Sequence, residues 1–418
     1  MEKDAASPQI YIIGAGISGL VAARKLEEEG YRPVILEATD RPGGRVKTDR
    51  HRGALLDHGF QVLLTAYPQA RKKLDYAGLK LHRFKPGALI FQRGRSQRIG
   101  DPLRDPGSLW PTLIASVGTV GDKWKIFALS NRLKRKSLAE IFAAESETTG
   151  DYLRGLGFSR RIIDHFFRPF FTGIFLETEL RTSSRMFEFT FKMFSEGYAA
   201  LPEAGIGAIP EQLAGALAKT EIRYRQAVDA VGEKEITLAT GETLPADGVV
   251  CTTPLDTTSG KVQPGAIRWK RCDNLYFTTD SRRFPEGLIG LVADGGALVN
   301  NLYYPFGQSV DGDPLLSVTV VRPHELETED LVQQVREELR RLCGIEAKAF
   351  IRRYAIERAL PDLEEVRLEW GASRGPGQAG APSVVLAGDF QVNGSLNAAM
   401  ASGEAAAAAL IRRLQAPS

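Results

Sequence analysis

The chain has 418 residues, 43% hydrophobic and 25% charged, with a formal net charge of +3. That is an ordinary globular composition, with enough apolar material for two domains or one large discontinuous one. Acids and bases are interspersed, which argues against a nucleic-acid partner, and the three scattered cysteines fit a reducing compartment and argue against a disulfide framework or a zinc site.

The five histidines form no ligand pattern, so no metal site is expected. Met1 to Gln9 is polar and short and does not read as a signal peptide. No apolar run reaches the ~18 residues of a membrane-spanning helix. The expectation is a cytoplasmic protein, soluble or attached to a membrane at its periphery.

Ile10-Tyr11-Ile12-Ile13 is a short apolar run that ends in Gly14-Ala15-Gly16-Ile17-Ser18-Gly19. It reads as strand, tight turn, helix. Gly14 lets the chain turn, Gly16 has no Cβ to hold a pyrophosphate away, and Gly19 lets helix and strand pack closely. The helix N-terminus offers N–H groups and a positive dipole end to phosphates. Pro33 to Leu36 reads as a second buried strand, with Glu37 at its end. An acid about 20 residues past the glycines is where a ribose needs its acceptor. Arg41-Pro42-Gly43-Gly44-Arg45 then offers a second close backbone approach, with guanidinium groups able to fork onto phosphate oxygens.

Together, Gly14-x-Gly16-x-x-Gly19, Glu37 and Arg41-x-Gly43-Gly44-Arg45 resemble the FAD-binding signature of the flavin amine oxidase and carotenoid desaturase superfamily. The arginine–glycine pair separates FAD from NAD. The segment Leu55 to Pro68 is similar to the plant-type phytoene and ζ-carotene desaturases at Asp57, Gly59, Val62 and Tyr67. Gln61 stands where those proteins carry histidine, and Thr65 where they carry glycine.

Further along, Arg93-Gly94-Arg95-Ser96 looks like a hairpin tip. An apolar and basic stretch runs from Leu109-Trp110-Pro111 through Trp124 and Phe127 to Arg132-Leu133-Lys134-Arg135-Lys136. It fits a solvated helix packed on its own domain. It also fits contact with an anionic bilayer, but it lacks one clean apolar face. Phe166, Phe167, Phe170, Phe171, Phe175, Phe187, Phe189, Phe191 and Phe194 hold nine of the chain's twenty phenylalanines, and serve either as core or as the lining of a pocket for a greasy or planar substrate.

Residues 201 to 260 read as a return to the first domain. A helix is expected over Glu211 to Ala218, a strand over Ile222 to Tyr224, a hairpin around Thr240-Gly241-Glu242, and a buried strand over Gly248 to Pro254 that ends in a proline-marked turn. Beyond them, Leu275 to Phe277 and Leu315 to Val321 read as strands and Asp330 to Leu342 as a helix. Amine oxidases draw a lysine from this region; Lys270 is the one loose candidate, and it is given no catalytic role. Ser383 to Asp389 is a buried strand ending in Gly388-Asp389, and Ser395 starts an alanine-rich helix.

The resemblance implies an α/β protein: a discontinuous, glutathione-reductase-like Rossmann FAD-binding domain from residues 1–80, 200–260 and 355–418, with a second α+β substrate domain from 81–199 and 261–354. The implied cofactor set is Gly14, Gly16, Ile17, Ser18, Gly19, Glu37, Ala38, Arg41, Gly43, Gly44, Arg45, Gly59, Phe60, Val228, Gly388, Asp389, Ser395, Leu396 and Ala398. No catalytic residue is assigned beyond it. The implied reaction is hydride transfer from an apolar, polyene or isoprenoid-like small molecule to flavin N5, with a quinone or oxygen as electron acceptor. The alternatives are a flavin amine oxidase and a non-redox flavoprotein, either an isomerase or a binding factor.

Overall fold

The computed structural model describes residues 8–100, 117–232, 234–256, 259–263, 267–371 and 383–416. Leu109-Trp110-Pro111 and most of the Met1 to Gln9 segment lie outside the described residues. At the centre is a five-stranded parallel sheet in the order Glu221–Arg223, Val34–Leu36, Ile10–Ile13, Gly248–Cys251, Ser383–Leu386. Parallel strands buried on both faces need apolar residues at every position. Here alternate residues serve two layers. Ile10, Ile12, Ile35, Val250 and Val385 pack towards the helices, and Tyr11, Ile13, Leu36, Val249 and Val384 pack towards a second layer. That layer is a small antiparallel sheet of Val228–Val231, Glu235–Leu238 and Thr243–Pro245.

Two helices cover the first face, Ile17–Glu28 and Leu396–Gln415. Their approach depends on missing side chains. A Cβ on Gly19 would stand 2.0 Å from the Gly14 carbonyl oxygen, and one on Gly403 would stand 2.2 Å from the Ser18 carbonyl oxygen. Alanine elsewhere on the second helix keeps helix propensity high while remaining thin. The first and last described segments are thereby locked onto the same sheet.

A second, mixed sheet of eight strands runs Ala347–Pro361, Trp269–Thr279, Asp313–Val320, Val299–Tyr303, Ile289–Val292, Gly87–Gln92, Arg95–Gly100, with Ser309–Val310 paired to Asp313–Val320. Arg93 and Gly94 both adopt positive φ, +50° and +73°, at the tip of the 87–100 hairpin. That is the turn whose twist matches the flanking strands. One face of this sheet packs Leu275, Phe277, Leu302, Leu316 and Val318 against the helix Thr328–Glu338 and its widened last turn Leu339–Cys343. The other face turns towards a large cavity. The strand Ala347–Pro361 passes through residues 354 and 355 without a break.

The expected helix over Glu211 to Ala218 is found three residues earlier, at Ala208–Gly215. Pro210 sits in its first turn, where a missing N–H costs nothing. The phenylalanine zone divides. Phe167, Phe171, Phe187 and Phe189 are fully buried core, whereas Phe170 and Phe194 line the cavity.

Asp57 immediately precedes His58 to Val62, which line that cavity. It ends the strand Ala54–Asp57 and its Oδ1 accepts from the Thr48 hydroxyl at 2.6 Å and the Ile206 N–H at 3.0 Å. Burial pushes its carboxyl up to about 6 from 3.8, against both of those bonds. A raised folded value means stability is complete below the unfolded value and falls as pH rises through the folded one. Between pH 4 and 7 the wild type should lose on the order of 3 kcal/mol relative to Asp57→Asn, whose amide does not titrate. Urea unfolding of both proteins across that range measures the difference; parallel profiles would refute it.

Candidate functional site

The site begins where the central strand Ile10–Ile13 ends. Gly14 has φ +98° and donates its N–H to the Leu36 carbonyl at 2.9 Å, so the turn is stitched to the neighbouring strand. A Cβ there would stand 2.7 Å from Thr252 Oγ1. Gly16 precedes the helix, and a Cβ built on it meets nothing within 4 Å, because that side faces the cavity. No side chain caps the helix and its first turn holds no acid. Ile17 and Ser18, its first residues, line the cavity. An uncapped N-terminus opening on a cavity is a fitting cradle for a phosphate.

The Arg41–Arg45 segment docks beside this turn. Gly43 N–H donates to the Ala15 carbonyl at 2.9 Å, and Gly16 and Gly43 form an isolated parallel bridge. Gly43 holds φ +126°, and a Cβ on Gly44 would lie 3.5 Å from the Gly16 Cα. Two glycine turns therefore present bare backbone to one space.

Glu37 is buried at the end of its strand and lines the cavity with Ala38. Its Oε2 accepts from the Ala15 N–H at 2.7 Å, and its Oε1 from the Thr39 N–H and hydroxyl at 2.9 and 2.7 Å. The carboxylate thus ties the glycine turn to the second strand while keeping an edge on the cavity. Gln226, Ala227 and Val228 complete this end.

At the other end, Arg45 pairs with the buried Asp389 and donates to the Ala359 carbonyl at 3.2 Å. Its guanidinium stands 5.1 Å from the centre of the Trp269 ring. Gly388 has φ +138°, which bends the chain from strand to cavity rim. Ser395 caps the C-terminal helix by accepting the Ala398 N–H at 3.0 Å. Gly59, Phe60, Gly388, Asp389, Ser395 and Leu396 all line the cavity. Gln61 Nε2 donates to the Arg45 and His58 carbonyls at 2.9 and 3.1 Å, so its side chain braces this loop.

Three members of the expected set stand off the cavity wall. Gly19 serves the contact of helix and strand. Ala398 lends its N–H to the helix cap. Arg41 pairs with Asp49, which also accepts from Tyr354 Oη at 2.8 Å and lies 3.0 Å from His58 Nε2. Burial raises the Asp49 carboxyl, but the bonds from Arg41 and Tyr354 outweigh it and hold the group well below the usual carboxylate range. Other wall residues carried no motif: Thr252, Thr253, Trp269, Asn301 and Thr319. The Thr-Thr-Pro run after a buried strand was the available signal for the first two. Lys270 stands on the wall too, 3.4 Å from Thr182 Oγ1, and burial pushes its ammonium down.

The cavity measures about 1540 Å³. Single small-molecule pockets hold ~300–1,000 Å³, so this one has space for a dinucleotide and a second ligand. It runs from the parallel sheet to the free face of the mixed sheet, where Phe170, Ile174, Met186, Phe194, Ile289 and Leu291 form an apolar chamber.

Comparison with known proteins agrees with this architecture. The family model for flavin containing amine oxidoreductase matches residues 17–411. Protoporphyrinogen oxidase 2 of Arabidopsis thaliana is 28% identical over 166 residues, 40% of this chain and 32% of that protein. The L-amino-acid oxidase of Daboia russelii is 34% identical over 114 residues, 26% of this chain and 23% of that protein. The chain spans about a third of the length of the first curated relatives it matches. Among solved structures, an oxidoreductase from Methanosarcina mazei superposes with a TM-score of 0.71 at 14% identity, covering 95% of this chain and 99% of that one. Putrescine oxidase bound to putrescine gives 0.67 at 17%, covering 97% and 99%. A CLA-producing fatty acid isomerase from P. acnes gives 0.66 at 17%, covering 100% of both. At these identities the structural likeness establishes the fold, and the family match establishes the rest: the chain belongs to the flavin containing amine oxidoreductases, enzymes that work with FAD.

Proposed function

We propose that the FAD lies along the cavity from Glu37 to Asp389 and that the apolar chamber beyond it receives an apolar, polyene or isoprenoid-like substrate. The observation that carries this reading is the fit of the unfilled space to the group. The pyrophosphate would rest on Gly16, Ile17 and Ser18 at the uncapped helix start, with Gly43 and Gly44 beside it. Glu37 would accept from a ribose hydroxyl, and Ala38 and Val228 would flank the adenine. Arg45 and Asp389, paired with each other, would meet the ribityl chain and phosphates. Gly59, Phe60, Ser395 and Leu396 would border the isoalloxazine. Gly19, Arg41 and Ala398 would act behind the wall, by packing, by anchoring Asp49 and by completing the helix cap.

When bound, the flavin supplies acceptance of a hydride from carbon. The chain's own residues do the remainder. Phe170, Ile174, Phe194 and Leu291 exclude water and hold a flat or extended apolar molecule by area. The first residues of the Leu396–Gln415 helix place its positive end at the same rim, where negative charge on a reduced flavin would be favoured. The neighbours' names include both an amine oxidase and a fatty acid isomerase. The apolar chamber favours the second kind of molecule. Electrons would leave to a quinone or oxygen.

Under anaerobic conditions, polyenes and isoprenoid compounds should bleach the flavin absorbance of the holoprotein while simple amines do not; bleaching by amines alone would refute the proposal. Glu37→Ala should weaken FAD binding by about 10- to 100-fold, equivalent to roughly 1.5–3 kcal/mol for a charged hydrogen-bond partner. Fluorescence titration of apoprotein with FAD checks this, and unchanged affinity would remove Glu37 from the site.

A membrane contact is the second part of the proposal, supported by the helix Val120–Arg135. Its Leu129 and Leu133 turn inward, while Val120, Trp124 and Phe127 stand 68%, 69% and 43% exposed along one outer stripe. Lys123, Arg132, Lys134 and Arg135 share the helix. An aromatic stripe among cations suits an anionic bilayer surface. The protein should co-sediment with phosphatidylserine-containing vesicles at low salt, and Trp124→Ser with Phe127→Ser should reduce the bound fraction about tenfold, from the lost apolar burial. Equal binding by both proteins would refute it.

A further inference from the structure

The cavity-side face of the mixed sheet carries a polar ribbon. Strand register sets Leu291, Asn301, Thr319 and Asn274 opposite one another in a row, with Ser317, Tyr276 and Tyr303 in the next. All these positions except Leu291 are polar and buried, and Asn301 and Thr319 reach the cavity wall beside Leu291, Phe170 and Ile174. Burying amides costs free energy unless each finds partners.

The bonds have one direction, and it is anchored at a backbone carbonyl. Asn300 Nδ2 donates to the Pro169 carbonyl at 3.2 Å, and a carbonyl can only accept. That fixes which atom of Asn300 is the amide nitrogen. The same nitrogen donates to Asn301 Oδ1 at 3.0 Å. Asn301 Nδ2 therefore points along the row, donating to Thr319 Oγ1 at 3.2 Å, and the Thr319 hydroxyl donates onward to Asn274 Oδ1 at 3.1 Å. A primary amide has two N–H groups, and the chain of bonds uses one from Asn301.

Two backbone features exist to make this arrangement. The pairing shifts between Val299 and Asn301, so that two steps on one strand meet one step on the other. Such a bulge re-aims a side chain, here Asn300, which alternation would have turned to the far face. Gly173, in the helix Arg168–Phe175, supplies the space: a Cβ there would lie 3.0 Å from both Asn300 Nδ2 and Asn301 Oδ1.

We infer that the substrate carries an acceptor oxygen, a carbonyl or carboxylate, and that Asn301 is the specificity-determining residue that receives it. This rests on the reading that the chamber beyond the FAD is the substrate's. Asn301 and Thr319 line that chamber beside Leu291, Phe170 and Ile174. A plain hydrocarbon would cover the Asn301 N–H without bonding it, and sites that leave buried polar groups unpaired reject such analogues strongly.

The test uses FAD-loaded protein and three probes of one size: octane, octan-2-one and octanoate. Binding is read from the shift in the oxidised flavin spectrum. The ketone or the carboxylate should bind at least about tenfold more tightly than octane, as a bond plus an avoided unpaired donor implies. Asn301→Leu should reduce that preference to near unity. Thr319→Val, isosteric and gentler on folding, should reduce it in part by releasing the Asn301 amide from its fixed orientation. Equal binding of the three probes, binding of none, or an unchanged preference in both variants overturns the inference. A protein that takes up no FAD would instead overturn the reading of the cavity on which it rests.

Discussion

The contact of two bare backbones at Gly16 and Gly43 is the constraint on which the rest depends. A Cβ on Gly16 would face the open cavity with nothing within 4 Å, so the need for a bare backbone falls on the Gly43 side of the contact. Gly43 already sits in a positive-φ geometry that costs an L-residue free energy, and a Cβ on it would stand 2.3 Å from the Val46 carbonyl oxygen. The Gly43 N–H bond to Ala15 then fixes where Arg45 leaves the turn. Arg45 reaches Asp389 from there, and so a contact between residues 16 and 43 decides how a residue 344 positions distant from Arg45 is held. The same logic recurs in the helices. Gly19 and Gly403 remove the atoms that would separate strand, first helix and last helix.

Glu37 shows how one side chain joins structure to site. Its carboxylate takes the Ala15 N–H, which would otherwise be an orphan donor in the turn. Its backbone meanwhile pairs with Arg223 and Gln226. Loss of the side chain would therefore loosen the glycine turn as well as strip a carboxylate from the cavity wall, and both effects act through the same atoms. Arg45 and Asp389 combine the same functions at the other end. A buried carboxylate needs a partner, and the partner here borders the cavity.

Much of the first layer was legible in the sequence because backbone needs are written in residue type. Glycine at a positive φ or a close approach, apolar runs of strand length and an acid at a strand end are local signals. Hence Gly14 to Gly19, Glu37, Gly43 to Arg45 and Gly388-Asp389 could be read without coordinates. Arg41 was not separable from Arg45 by the same means. Both flank the glycine pair, and only the tertiary position of Asp49, Tyr354 and His58 shows which arginine turns away. The Phe166 to Phe194 zone was ambiguous for a related reason. Helical neighbours Phe170 and Phe171 face cavity and core respectively, and composition does not separate adjacent faces.

The polar row on the mixed sheet was hidden because its information lies across strands. Asn274, Asn301 and Thr319 belong to three segments and meet only through register. Each alone resembles a stray polar residue in an apolar strand. Even Asn300-Asn301, adjacent and conspicuous, reads by simple alternation as one residue inward and one outward. The bulge cancels that alternation, and the cancellation is visible only in the pairing with Val320 and Thr319. A pattern of period 2 predicts faces correctly until one residue is inserted, and beyond the insertion its phase is reversed, so that Val299 and Asn301, two positions apart, take opposite faces. That is the physical reason the row of Asn301, Thr319 and Asn274 could not be read from the sequence. Apolar neighbours dominate the composition of the region, whereas a single aligned row of donors and acceptors decides what the wall can recognise.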